Sequence, residues 1–200
     1  MFTGIIEALG HIETIDSVGG DARMRFVAPG YLAGVQVGDS IAVNGCCLTA
    51  TDCSDDAFWA DLSGETLNLT TAGTWRVGEP VNLERALTPA KPLGGHLVTG
   101  HVDGIGRVLE RYEDARSWRF RFEAPEGLAR YIARKGSVCI DGVSLTVNEV
   151  EGARFGVNII PHTLSHTTLG ARAVGDRVNL EVDLVARYLE RLLEGRTDAV

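Results

Sequence analysis

Lysine is nearly missing from this chain. Only Lys91 and Lys135 carry an ammonium among 200 residues, and Lys+Arg at 19 against Asp+Glu at 27 leaves a formal net charge of −8. A surface for nucleic acid or for an anionic membrane needs clustered Lys and Arg, so neither partner is expected. No apolar run approaches the length of a membrane span, and no basic segment leads into an apolar one near residue 1. Neither an anchor nor a targeting signal is therefore expected, and the cytoplasm is the expected location. The four cysteines (Cys46, Cys47, Cys53 and Cys139) form no CxxC pair and no secreted-type framework, which fits reduced thiols. A P-loop and a GxSxG elbow are absent as well. With 44% hydrophobic and 23% charged residues, an ordinary globular protein remains.

What is present is a second copy of the chain within itself. Val77-Gly-Glu-Pro-Val-Asn-Leu-Glu-Arg-Ala-Leu87 returns as Val174-Gly-Asp-Arg-Val-Asn-Leu-Glu-Val-Asp-Leu184, 97 positions later. Asn44-Gly-Cys-Cys-Leu-Thr49 returns at the same offset as Asp141-Gly-Val-Ser-Leu-Thr146. One position of drift aligns Phe2-Thr-Gly-Ile-Ile-Glu7 with Val98-Thr-Gly-His-Val-Asp103. A unit this long buries its own core, so the chain is a duplicated domain and not a solenoid. The expected partition is 1–97, with a linker at 88–97, then 98–184, then a tail at 185–200.

Each copy reads as β. In the first, runs at 4–15, 22–28, 40–44, 46–52, 58–62 and 80–85 are short and rich in β-branched residues, with Gly, Pro and Asp turn signals between them. Asn44-Gly45 and Asp141-Gly142 read as tight hairpin turns. Six strands in under ninety residues favour a small antiparallel barrel, with short helical caps expected near 30–34 and 65–69. In the tail, Val185, Tyr188, Leu189, Leu192 and Leu193 form one helical stripe. Burying all five would contribute about 7–15 kcal/mol gross, against the chain's own barrels or against another subunit.

Positions that match between the copies suit a shared ligand, and positions that differ suit different jobs. Thr3-Gly4/Thr99-Gly100, Leu48-Thr49/Leu145-Thr146 and Thr66/Thr163 agree, offering close backbone approach and hydroxyl bonds to a polar ring. Cys47 faces Ser144, Cys46 faces Val143, Ile5 faces His101, Asn44 faces Asp141 and Gly64 faces Pro161. The first copy is thiol-rich and otherwise nonionic, while the second carries a hydroxyl, an imidazole and a carboxylate. His162 and His166 have i,i+4 spacing but no carboxylate between them, so no metal is expected. Gly100-His-Val-Asp-Gly104-Ile-Gly106 lacks the βαβ context of a dinucleotide fingerprint.

These residues carry a resemblance. Met1-Phe-Thr-Gly-Ile-Ile-Glu7, Asn44-Gly-Cys-Cys-Leu-Thr49, Gly94-Gly-His-Leu97, Ile140-Asp-Gly-Val-Ser-Leu-Thr146 and Ile160-Pro-His-Thr-Leu164 resemble the riboflavin synthase family of the duplicated-barrel type. The resemblance implies an all-β fold of two tandem six-stranded, Greek-key-like antiparallel barrels related by a pseudo-twofold axis, plus a C-terminal α-helix. It implies a homotrimer with sites between the first barrel of one subunit and the second of its neighbour, and leaves room for association with lumazine synthase. It also implies a reaction without cofactor, in which two molecules of 6,7-dimethyl-8-ribityllumazine dismutate to riboflavin and 5-amino-6-(D-ribitylamino)uracil.

By matching positions, the catalytic candidates are Cys47, His101, Ser144, Asp141 and Ser40. The first pocket is expected to bind through Gly4, Ile5, Ile6, Cys47, Leu48, Thr49, Asp61, Leu62, Ser63, Gly64, Glu65 and Thr66. The second is expected to use Gly100, His101, Val102, Lys135, Ser144, Leu145, Thr146, Ile160, Pro161, His162, Thr163, Leu164 and Ser165. The chain departs from the family pattern at His162, where Glu is more usual, and at Ser63-Gly64, where bulkier residues are. A non-catalytic lumazine-binding antenna protein resembles this pattern too, but would be expected to lose Cys47 or the polar set of the second pocket. The flavin-binding barrel of a reductase would need an Arg-x-Tyr-Ser/Thr motif and a nucleotide domain.

Overall fold

Alternating burial makes the strands. Along residues 21–27, Ala22, Met24 and Phe26 point inward while Asp21 and Arg23 face solvent, the period-two signature of a half-buried strand. The computed structural model describes residues 1–197, with side chains as far as 194. The first copy contains β1 (Ala8–Val18), β2 (Asp21–Val27), β3 (Ser40–Val43), β4 (Cys46–Cys53), β5 (Ala57–Leu62) and β6 (Pro80–Arg85). They close in the order β1-β2-β5-β4-β3-β6, every pair antiparallel. The second copy repeats the ring with β7 (Gly104–Asp114), β8 (Ser117–Glu123), β9 (Ser137–Ile140), β10 (Val143–Glu151), β11 (Arg154–Ile159) and β12 (Arg177–Val182). Closure leaves no strand edge unpaired. Bulges at Ile12/Thr14 and Ala50/Asp52 recur at Val108/Glu110 and Val147/Glu149, bending both barrels alike.

Each barrel has its own aromatic centre. Phe26 stacks on Phe58 at 5.1 Å in the first, and Phe122 stacks on Phe120 and Phe155 at 5.8 and 5.6 Å in the second. The helices are short: α1 (Gly64–Leu69), α2 (Glu126–Ala129) and α3 (Pro161–His166), followed by α4 (Leu184–Thr197). The expected helix at 30–34 is absent, because Gly30 and Gly34 take positive φ and break any helical run. Its counterpart in the second copy does form, as α2. The expected strand at 4–15 begins only at Ala8, since the residues before it leave the barrel.

Asparagines clasp the barrels together. Asn82 Nδ2 donates to the Asp141 carbonyl and Asn179 Nδ2 to that of Asn44, each at 2.8 Å. The clasp holds the two hairpin turns face to face. Asn44-Gly45 has φ of 44° and 80°, and Asp141-Gly142 has 46° and 83°, the paired positive values of a type I′ turn.

Helix α4 docks by its polar side. Arg187 pairs with Asp103, and Glu190 accepts from Tyr131 and pairs with Arg130. The stripe of Val185, Tyr188, Leu189, Leu192 and Leu193 faces outward, each residue more than half exposed. The chain's own barrels do not cover it, which overturns that alternative for the tail. No helix among the described residues is long and apolar enough to cross a membrane.

Candidate active site

The segments ahead of the two barrels cross. Phe2 and Val98 form an antiparallel bridge, with N–H···O distances of 2.7 and 3.1 Å in the two directions. From that bridge each arm runs onto the other barrel. Ser144 N–H donates to the Gly4 carbonyl at 2.7 Å, and Cys47 N–H donates to the Gly100 carbonyl at 2.8 Å. Ile6 packs against the second core and Val102 against the first. The expected grouping of Gly4, Ile5 and Ile6 with the first barrel, and of Gly100, His101 and Val102 with the second, is therefore exchanged. The reason is the bridge, which duplication alone does not reveal.

Both arms depend on glycine and on a buried glutamate. A Cβ on Gly4 would lie 2.6 Å from Ser144 Cβ, and one on Gly100 2.6 Å from Cys47 Cβ, with φ of +74° and +79°. Only glycine fits such an approach. Glu84 accepts from Thr3 N–H and Oγ1 at 2.7 and 2.6 Å and from Gly4 N–H at 3.0 Å. Glu181 accepts from Thr99 N–H and Oγ1 at 2.6 and 2.7 Å and from Gly100 N–H at 2.9 Å. The sequence reading missed both glutamates, although each recurs at the repeat offset.

The first face thus brings Cys47, Leu48 and Thr49 of β4 beside Gly100, exposed His101 and Val102. Ser40 lies across from Thr49 in the β3–β4 ladder, and Ala50 opposite Ala60 sets Thr49 next to Asp61. Leu48 and Leu62 point into the core, so any ligand contact they make is through the main chain. Ser63 caps α1, its Oγ accepting from Thr66 N–H at 3.2 Å, with Gly64 and Glu65 in the first turn. Cys46 is buried, and burial pushes its thiol up to about 12. Burial likewise raises that of Cys139. A thiolate is the reactive form, so both are suppressed; of the two partly exposed cysteines, Cys47 and Cys53, it is Cys47 that meets an arm, at Gly100. Ser40 also lines a cleft of about 560 Å³ with Glu7, Asp39, Arg85 and Lys91, which contains neither Cys47 nor His101.

The second face joins Ser144, Leu145 and Thr146 of β10 to Gly4, exposed Ile5 and Ile6. Ser137, missed in the sequence, stands opposite Thr146 as Ser40 stands opposite Thr49. Val147 opposite Val157 carries the register on toward Ile160, the N-cap of α3, whose first turns hold Pro161, His162, Thr163, Leu164 and Ser165. Lys135 is exposed with φ of 67°, where the first copy has Gly38 at 97°. A side chain at a left-handed position carries a backbone cost that glycine would avoid.

His96 is the principal residue the sequence reading left unassigned. It lies in the linker, without a counterpart in the repeat, and its Nδ1 is 2.7 Å from Ser144 Oγ. Burial lowers its pKa against the pull of Asp183, favouring the neutral ring. That pairing lets imidazole take a proton from the serine hydroxyl. His162 and His166 stack with ring centres 4.1 Å apart. Among the described residues no group of three or more His, Cys, Asp or Glu could hold a metal.

Asp141 is committed to a buried ion pair. It is fully buried, its Oδ2 accepts from Arg172 at 2.8 and 3.0 Å, and its Oδ1 accepts from Asn179 N–H at 2.8 Å. Burial raises its pKa although Arg172 opposes the shift. Its first-copy equivalent Asn44 is accompanied by Trp75 at the place of Arg172. The charge at 141 thus answers a charge at 172, in the joint between the barrels.

Comparison with known proteins follows the same outline. The lumazine binding domain family matches residues 3–86 and again 99–183. The chain is similar to a riboflavin synthase of Photobacterium phosphoreum, at 47% identity over 96% of this chain and 89% of that protein. One of Mycobacterium tuberculosis is 46% identical over 96% and 98%, and one of Schizosaccharomyces pombe 39% identical over 97% and 94%. Among solved structures, LumP complexed with 6,7-dimethyl-8-(1'-D-ribityl) lumazine superposes with a TM-score of 0.82 at 28% identity, covering 91% of this chain and 99% of that one. LumP complexed with riboflavin gives 0.84 at 29% identity, with the same coverage.

Proposed function

The chain belongs to the riboflavin synthase family, and on that premise we propose that its two crossed-arm faces are unequal half-sites for one dismutation. The enzyme is a transferase acting on 6,7-dimethyl-8-ribityllumazine. One molecule gives up a four-carbon unit and becomes 5-amino-6-(D-ribitylamino)uracil, while the other gains it and becomes riboflavin. Donor and acceptor start as the same compound, so two faces with matching backbones suit them. They need opposite polarisation, so the side chains differ.

The observation that carries this reading is the matched pair of arm contacts. Gly4 meets Ser144 and Gly100 meets Cys47 through the same hydrogen bond, yet one face offers a hydroxyl and the other a thiol. On the first face Cys47 adds to or positions the lumazine ring, and His101 assists proton transfer at the acidic ring methyl. On the second, His96 draws the proton from Ser144 Oγ, and Lys135 supplies a cation at the rim. Thr49 and Thr146, with Ser40 and Ser137 opposite them, offer hydroxyls to the ring or ribityl chain.

Both faces are open surface, and closing them on two substrates needs a second chain. The uncovered stripe of α4 supports a trimer in which the first face of one subunit meets the second face of its neighbour. The cysteines are free, which suits a reducing cytoplasm. The test of the reaction is stoichiometric. Purified protein given the lumazine without metal, nucleotide or reductant should release riboflavin at half the molar amount of lumazine consumed. Turnover that appears only with an added cofactor would contradict the proposal.

A further inference from the structure

A single carboxylate of the second barrel ties together the two reacting groups of the first half-site. Glu181 on β12 is buried, its Oε1 bonded to Thr99 N–H and Oγ1 and its Oε2 to Gly100 N–H. Two short bond chains continue from there. The Gly100 carbonyl accepts from Cys47 N–H at 2.8 Å, and Thr99 Oγ1 accepts from His101 N–H at 3.2 Å. We propose that Glu181 is the positioning residue of the first half-site, holding the backbones of Cys47 and His101 in mutual register through Thr99 and Gly100. This inference rests on the reading of Cys47 and His101 as the groups of that half-site.

The other copy shows what Glu181 lacks. Glu84 binds its arm through the same three bonds, but Lys91 Nζ lies 3.1 Å from its Oε1. Glu181 forms no ion pair with Lys or Arg among the described residues, and His101 is the group whose charge draws it toward ionisation. Burial outweighs its hydrogen bonds and raises its pKa. An acid raised in the folded state costs stability once ionised, and that cost appears as pH rises through its pKa. Ionisation of Glu181 therefore lowers stability relative to its protonated form, while its three hydrogen bonds go on fixing the arm.

Glu181→Gln isolates that geometry. The amide oxygen still accepts from Thr99, but the amide nitrogen confronts Gly100 N–H, donor against donor. We expect kcat to fall about tenfold or more while KM stays within about threefold, because misplaced reacting groups lose transition-state rather than ground-state binding. In the substrate-free variant, amide hydrogen exchange at Gly100 and Cys47 should quicken while that at Gly4 and Ser144, held by Glu84, does not. Should the variant fail to fold, Thr99→Val removes the acceptor of His101 N–H, and faster exchange at His101, read in place of Gly100 and Cys47, should then accompany the same fall in kcat. Exchange that rises everywhere, or stays unchanged at Gly100 and Cys47, overturns the proposal, as does a raised KM with unchanged kcat or unchanged turnover. Exchange needs no substrate, so failure here is distinguishable from a wild-type protein that makes no riboflavin.

Discussion

Cys47 and Ser144 stand at one position of the duplicated fold, each donating its N–H to a glycine carbonyl of an arm, one carrying a thiol and the other a less acidic hydroxyl. The choice of Cys47 over its neighbour Cys46 follows from burial, which suppresses the Cys46 thiolate. Cys47→Ser and His101→Gln should each slow turnover by about tenfold or more, in line with the loss of a positioned acid, base or nucleophile. Lumazine binding, followed by its fluorescence, should persist in both variants. Wild-type rates in both would remove these residues from the chemistry. Asp141 teaches the opposite lesson, since its divergence from Asn44 looked chemical. The corrective signal was in the sequence, because Arg172 replaces Trp75 at the same offset. Asp141→Asn should cost about 1–3 kcal/mol in chemical denaturation, by leaving the buried guanidinium short of its counter-charge. Adding Arg172→Trp rebuilds the first copy's pairing and should recover part of that loss, whereas a double variant less stable than the single would contradict this account.

The arms are where local pattern and tertiary structure part company. Short β-branched-rich runs between turn signals located the six strands of the first copy, and the repeat implies six more in the second, because closed antiparallel barrels favour such residues in short, evenly spaced strands. The same criterion extends the first run back to Gly4, which lies outside the barrel. Nothing local distinguishes an arm that returns to its own barrel from one that crosses, since the deciding contact joins residues 2 and 98. Glu84 and Glu181 were legible as repeated residues but not as clamps, for a glutamate on a strand usually faces water. His96 was hidden for another reason, as a linker residue has no copy to be compared with. Gly100→Ala tests the crossing directly. Its Cβ would lie 2.6 Å from Cys47 Cβ at a φ of +79°, so strain on the order of 1–3 kcal/mol falls on the first half-site. Turnover should drop sharply while the Gly4–Ser144 contact, read by amide exchange, stays intact. An alanine variant with normal turnover would mean that the arm does not need this approach.

At the scale of the molecule, the fold class and the repeat were legible from spacing alone, and the family from a handful of motifs. Assembly was legible only as a stripe in need of cover. The structure removes one choice by turning α4's polar side to the chain's own barrel, through Arg187, Glu190 and their partners, and its apolar side to solvent. Two open faces on one chain and one uncovered helix are the features that the proposed trimer, with subunits completing one another's sites, requires. Co-assembly of two crippled chains measures this most directly. Cys47→Ser damages only the first half-site and Ser144→Ala only the second, so each homotrimer should be slow. If sites form between neighbours, mixed trimers refolded from equal amounts of both regain intact sites, up to about a quarter of the total for random cyclic assembly. Activity well above the mean of the two parents is the predicted result, and activity that stays at that mean would contradict a site shared between chains.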